Sequence, residues 1–205
     1  MANDYIGVVT PAGTAIYPHL TQPDTKFNAM GEYKVSLSLT EDEAAPIIAK
    51  FNQAMEQAKT MIPQGKRPKV SEPPYFNELD DQGQETGRVV FKFKMKAKVN
   101  TKDGRTIEMS PKLFDAQGTL MNDVESIWGG STLRISADLI PYYVAAVGAG
   151  VSARLKAVQI IELKTGGGSN AESFGFEATD GFTAEQEPTA KEEGFVYEET
   201  DEEDF

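Results

Sequence analysis

Cysteine is absent from this chain, which excludes disulfides and thiolate metal sites and suits a reducing compartment. Histidine occurs once, as His19, with no motif around it, so neither a histidine-based triad nor a histidine-rich metal site can be built. Phosphate-cradling glycine loops of the G-x-x-x-x-G-K-[ST] or G-x-G-x-x-G kind are missing. No apolar run approaches the roughly 20 residues that span a bilayer. The opening MANDYIGVVT also lacks the basic and apolar regions of a secretory leader. These absences predict a soluble intracellular protein with no membrane, cofactor or metal requirement. Hydrophobic residues make up 40% of the 205, enough for a core but low enough to suggest that part of the chain is not packed.

What is present is charge, unevenly placed. The formal net charge is −12, yet residues 1–165 hold 19 basic and 19 acidic side chains, while residues 166–205 hold one base, Lys191, against 13 acids. A neutral body therefore carries an acidic tail, and the TGGGSN stretch at 165–170 reads as a flexible linker between them. Within the body, residues 88–112 gather Arg88, Lys92, Lys94, Lys96, Lys98, Lys102, Arg105 and Lys112 against Asp103 and Glu108.

The body reads as strands around one helix. YIGVVTPAGTAIYP (5–18) is strand material broken by a turn, and EYKVSLSL (32–39) alternates as a second strand. Thr40 and Glu43 form a capping box for a helix over 41–62, with Ile47, Ile48, Phe51, Ala54, Met55, Ala58 and Met61 at helical spacing. Residues 63–87, rich in Pro and Gly, read as a long loop. Strands follow at 89–100 and 106–118, then at 131–144 and 150–163. At least five strands and a single helix predict a mainly β fold, a small Greek-key barrel or sandwich whose helix plugs one end.

The strand VVFKFKMKAKVN interleaves Phe91, Phe93, Met95, Ala97 and Val99 with Lys92, Lys94, Lys96 and Lys98, so one face is buried and the other is a row of cations. Such a row is either a solvated, aggregation-resistant face or a track for a polyanion backbone, and Lys102, Arg105 and Lys112 extend it. The adjacent pairs Tyr75-Phe76 and Tyr142-Tyr143 cannot both point inward on a strand, so they are candidate base-stacking rings or loop rings folded over the core. Tyr33 beside Lys34, and Trp128 before two glycines, are lesser candidates of the same sort. Asp80, Asp81 and Glu85 are the carboxylates a Mg²⁺ nuclease would need, but their Gly/Gln-rich surroundings read better as a polar turn. The tail ends DEEDF, with Asp201, Glu202, Glu203 and Asp204 before Phe205, a pattern suited to docking an aromatic anchor into a basic pocket.

In order along the chain, YKVSLSL, the lysine strand, PKLFDAQG, GGSTLRISADLIPYY, GVSARLKAVQIIEL and the acidic DEEDF terminus resemble the bacteriophage T7-type single-stranded DNA-binding proteins. The resemblance implies an OB-fold barrel, five-stranded and antiparallel, with a helix after the second strand and a flexible acidic tail. It implies sequence-independent binding of single-stranded DNA in phage DNA replication, recombination and repair, in the cytoplasm of the infected bacterial host. It also implies a homodimer, with tail residues 201–205 contacting the phage DNA polymerase and helicase-primase. The DNA-binding residues fall on Lys92, Lys94, Lys96, Lys98, Arg105 and Lys112, to which Lys34, Lys102 and the two aromatic pairs are added from the residues themselves. A virion assembly protein, whose lysines would contact other subunits, and a carboxylate-metal nuclease are the alternatives.

Overall fold

The computed structural model describes residues 5–26, 28–65, 69–101, 103–122, 124 and 126–164. The expected tail, 166–205, and Lys102 lie outside the described residues. The described chain contains eleven strands and one helix: β1 (Ile6–Val9), β2 (Gly13–Asp24), β3 (Glu32–Thr40), α1 (Glu41–Thr60), β4 (Tyr75–Leu79), β5 (Glu85–Lys96), β6 (Lys98–Asn100), β7 (Thr106–Glu108), β8 (Lys112–Phe114), β9 (Leu120–Met121), β10 (Thr132–Val144) and β11 (Gly148–Glu162).

Five of these strands form a closed ring. β2 pairs with β3, β3 with β5, β5 with β11, β11 with β10, and β10 returns to β2. The five-stranded barrel expected from the sequence is therefore present, and its helix follows the strand through YKVSLSL. Four of the five junctions are antiparallel; the fifth, β5 with β11, is parallel and rests on one register pair, Lys94 with Arg154. Short strands decorate the ring: β1 on β10, β4 on β5, and β8 with β9 on β11. The 63–87 stretch is more ordered than a long loop, since it contains β4 and the start of β5. The strand expected over 106–118 is divided: β7 pairs with β6 as a separate hairpin, and β8 runs parallel to β11.

Alternation drives the packing. Phe91, Phe93 and Met95 of β5, Val35, Leu37 and Leu39 of β3, and Leu133, Ile135 and Leu139 of β10 are all buried in one cluster. Helix α1 starts at the predicted box, the Glu43 amide donating to the Thr40 hydroxyl and the Thr40 amide to the Glu43 carboxylate. It lays Ala44, Ile47, Phe51, Ala54 and Ala58 over β10, β11 and β5. Phe51 meets Tyr75 and Phe91 at ring-centroid distances of 5.5 and 5.7 Å. No described helix is long and apolar enough to cross a membrane.

Candidate nucleic-acid interface

With the inward residues of β3, β5 and β11 committed to the core, their alternate residues must face outward. The register then lines up cations across strands. Lys34 of β3 stands opposite Lys94 of β5, and Lys94 stands opposite Arg154 of β11. His19 of β2 extends the same rung beyond Lys34. Along β5 the row continues to Lys92, opposite Ser36, and to Lys96, opposite Glu32. Lys156 adds a further cation two residues along β11. Strands lie about 4.8 Å apart, so three like charges share one rung, an arrangement that is unfavourable by itself.

Carboxylates compensate this belt from below. Asp24 pairs with Lys34 at 2.5 Å, Glu32 with Lys94 at 3.7 Å, and Asp138 with Arg154 at 2.9 Å and Lys156 at 3.1 Å. The Asp24, Glu32 and Asp138 side chains are 15, 28 and 13% exposed, against 36, 59 and 42% for Lys34, Lys94 and Arg154. The positive ends therefore meet solvent while the acids sit beneath them. The Lys34 hydrogen bond holds the Asp24 carboxyl below the ordinary aspartate range. Burial pushes the Asp138 carboxyl up, but hydrogen bonds from Arg154 and Lys156 outweigh it and leave the group below its usual range. No acid among the described residues lies within ion-pair distance of Lys96.

Rings flank the belt. Lys92 Nζ lies 4.8 Å above the exposed Phe76 ring, and the Arg154 guanidinium lies 5.3 Å from the Tyr5 ring. Tyr17, at 83% the most exposed large hydrophobic side chain among the described residues, lines a depression with Glu32, Lys34, Ser36, Lys92 and Lys94. Tyr142 shares the outer face with Arg154, four register pairs away, and lies across Gly150, where a Cβ would sit 2.5 Å from its hydroxyl. Tyr143 opposes the buried Ala149, so this pair does split across the strand.

The structure does not bring all the sequence candidates together. Tyr75 faces inward and packs on Phe51 and Phe91, each at 5.5 Å, so it belongs to the core and not to a stacking surface. Tyr33 likewise packs against the core, opposite Met95. Lys98 and Arg105 leave the barrel on the β6–β7 hairpin, where Lys98 pairs with Glu108 at 2.9 Å and Arg105 with Asp103 at 2.5 Å. Lys112 sits on β8 beside a depression lined by Leu20, Thr21, Leu113 and Met121. Lys102, Asp201, Glu202, Glu203, Asp204 and Phe205 lie outside the described residues. Asp80, one of the two aspartates on which the nuclease alternative centres, accepts the Gln82 and Gln84 amides at 2.9 and 2.8 Å and so builds its own turn. Glu85 is held by Asn77 at 2.9 Å, and no group of three metal-capable side chains occurs among the described residues.

Sequence reasoning missed Arg154, Lys156, Tyr5, Tyr17 and His19. Arg154 and Lys156 alternate with buried residues in GVSARLKAVQ, as Lys92 and Lys94 do, and that pattern could have placed them on an outer face.

Comparison with known proteins gives this surface a context. Residues 12–163 match the family described as "Single-stranded DNA-binding protein, Bacteriophage T7". The single-stranded DNA-binding protein of Enterobacteria phage T3 is 30% identical over 196 residues, covering 86% of this chain and 84% of that protein. That of Escherichia phage T7 is 30% identical over 176 residues, covering 80 and 76%. The crystal structure of the phage T7 protein superposes with a TM-score of 0.68 at 27% identity, covering 88% of this chain and all of that one. The bacteriophage Enc34 single-stranded DNA-binding protein, solved in complex with single-stranded DNA, shares the fold at a TM-score of 0.56 and 15% identity over 77% of this chain. The chain belongs to the bacteriophage T7 family of single-stranded DNA-binding proteins, a family of binding proteins and not of enzymes.

Proposed function

We propose that this chain binds single-stranded DNA without sequence preference along the belt of Lys34, Lys92, Lys94, Lys96 and Arg154. The observation that carries the reading is the shared rung of Lys34, Lys94 and Arg154. Directly opposed cations destabilise a sheet; the acids beneath offset part of that repulsion, and a phosphate backbone laid along the exposed cation ends relieves the remainder while releasing its counterions. Phe76 and Tyr142 offer rings to bases without reading their identity. Family membership supports a role in phage DNA replication, recombination and repair, in the cytoplasm of the infected host, as a homodimer. The composition of residues 166–205 supports a tail that competes with DNA for the belt and uses Asp201 to Phe205 to recruit the phage polymerase and helicase-primase.

Titration of labelled oligo(dT) across salt concentrations tests the central claim. Five phosphate contacts predict a slope of log K against log[salt] of about −3.5. A slope near zero would remove the belt from consideration. Absence of any oligo(dT) binding would favour the assembly reading. For the tail, loss of Phe205 should weaken retention by the polymerase and leave oligo(dT) affinity unchanged; equal retention would count against tail recruitment.

A further inference from the structure

We infer that Tyr17 and Trp128 form a stacking pocket for unpaired bases, joined to the cation belt at one end and leading towards Lys112 at the other. The inference rests on the belt being the single-stranded DNA site and adds where the bases go. Tyr17 is the one described non-glycine residue with positive φ, at 47°. Bulky side chains rarely adopt that conformation. It arises at an irregularity of β2, whose register with β3 shifts between Ile16 and His19. The result is a tyrosine lifted off the barrel wall with its ring in solvent.

That ring separates two depressions. On one side are Lys34, Ser36, Lys92 and Lys94. On the other is a pocket of about 590 Å³ whose lining includes Pro18, His19, Gln22, Ser126, Ile127 and Trp128, with Thr21 at its edge. Thr21 in turn lines the depression that contains Lys112. Cations thus stand at both ends of a track along β2, and the aromatic pair stands in the middle.

Trp128 is half-exposed but firmly placed. Its amide donates to the Lys164 carbonyl at 2.9 Å, and its carbonyl accepts the Ser131 amide at 3.2 Å and the hydroxyl at 2.8 Å. Ser131 is itself fully buried, and its hydroxyl also accepts the Lys164 amide. Gly130, at φ +88°, closes the turn and bonds to Ala15 of β2 at 2.9 Å. A large ring outside the core cluster is therefore anchored by its backbone to the end of β11 and to β2. Exposed rings beside a cation groove suit bases that are already unstacked and offer no stacking partner to a duplex, whose bases are turned inward.

The test uses the full chain, whose single tryptophan is the reporter. Binding is read by anisotropy of labelled oligo(dT), and stacking by quenching of Trp128 emission. Oligo(dT) should quench the emission, whereas an abasic strand of equal length should bind through its phosphates without quenching. Tyr17→Asn keeps a residue tolerant of positive φ but removes the ring. It should weaken oligo(dT) about 5- to 50-fold with the salt slope unchanged, and leave abasic binding as it was. Tyr17→Trp should restore affinity. Normal oligo(dT) binding without quenching, together with an unaltered Tyr17→Asn, would overturn the pocket and leave the belt standing. No oligo(dT) binding by the wild type would overturn both. The two strand arms need no variant, so a Tyr17→Asn that fails to fold does not rescue the idea.

Discussion

The alternating lysine run meets two different fates within twelve residues. Up to Lys96 it is barrel strand, with Phe91, Phe93 and Met95 buried and the lysines projecting from a belt whose acids lie beneath. At Ala97 the strand breaks, and Lys98 begins the β6–β7 hairpin. There the register places Glu108 directly opposite Lys98, an exposed pair in which each charge answers the other. The pattern of the sequence is the same in both halves. It reports which face a residue occupies, and partners from distant strands decide whether the charge is available to a ligand.

The sharpest contrast is in the inward residues. Phe93→Ala should cost about 3–5 kcal/mol in urea unfolding, because it empties a fully buried site. Val99→Ala, a half-buried residue on an otherwise exposed hairpin, should cost less than about 1 kcal/mol. Comparable losses would mean that the hairpin folds as part of the barrel. Among the outward residues, Lys92→Ala with Lys94→Ala should weaken oligo(dT) roughly 10- to 30-fold near 0.1 M salt, about 1.4–2 kcal/mol. The same pair should flatten the salt slope by about 1.4 units, or 0.7 per lost phosphate contact. An unchanged slope would show that the belt is only a solvated face.

A smaller effect is expected from the acid under the belt. Asp138→Asn removes the carboxylate shared by Arg154 and Lys156 and should tighten oligo(dT) binding by about 2- to 5-fold at low salt. Because the Asp138 carboxyl titrates below its ordinary range when folded, its contribution to stability is present above the unfolded-state value and lost as pH falls through the folded one. Thermal melts of Asp138→Asn should accordingly lose less stability than the wild type between about pH 5 and pH 2; parallel acid limbs would contradict the pairing. The smallest effect belongs to Lys98→Ala, with less than about twofold change in oligo(dT) affinity and no change in slope. A loss equal to that of Lys94 would erase the distinction between the two halves.

Much of this was legible in the sequence. Period-2 alternation placed β3 and β5, and Thr40 with Glu43 placed the helix start, because these signals are local. The lateral rung of Lys34, Lys94 and Arg154 was not legible, since it depends on which strands become neighbours and in what register. Tyr75 and Phe76 are adjacent and alike in sequence, yet β4 pairing turns Tyr75 onto Phe51 and leaves Phe76 outside. Tyr17 gave no signal, for a bulge is a property of two strands and not of one.

The β5–β11 junction has a mechanical consequence. It is the ring's parallel closure, and its one register pair joins residues sixty positions apart in sequence. No other junction of the ring has so few register pairs. The closure is therefore a seam, and the two residues that meet across it, Lys94 and Arg154, are also two cations of the belt. A strand of nucleic acid gripping both would act as a suture that only the closed barrel can accept, so bound protein should melt at a higher temperature than free protein. Loading onto DNA and holding the barrel shut would then draw on the same contact.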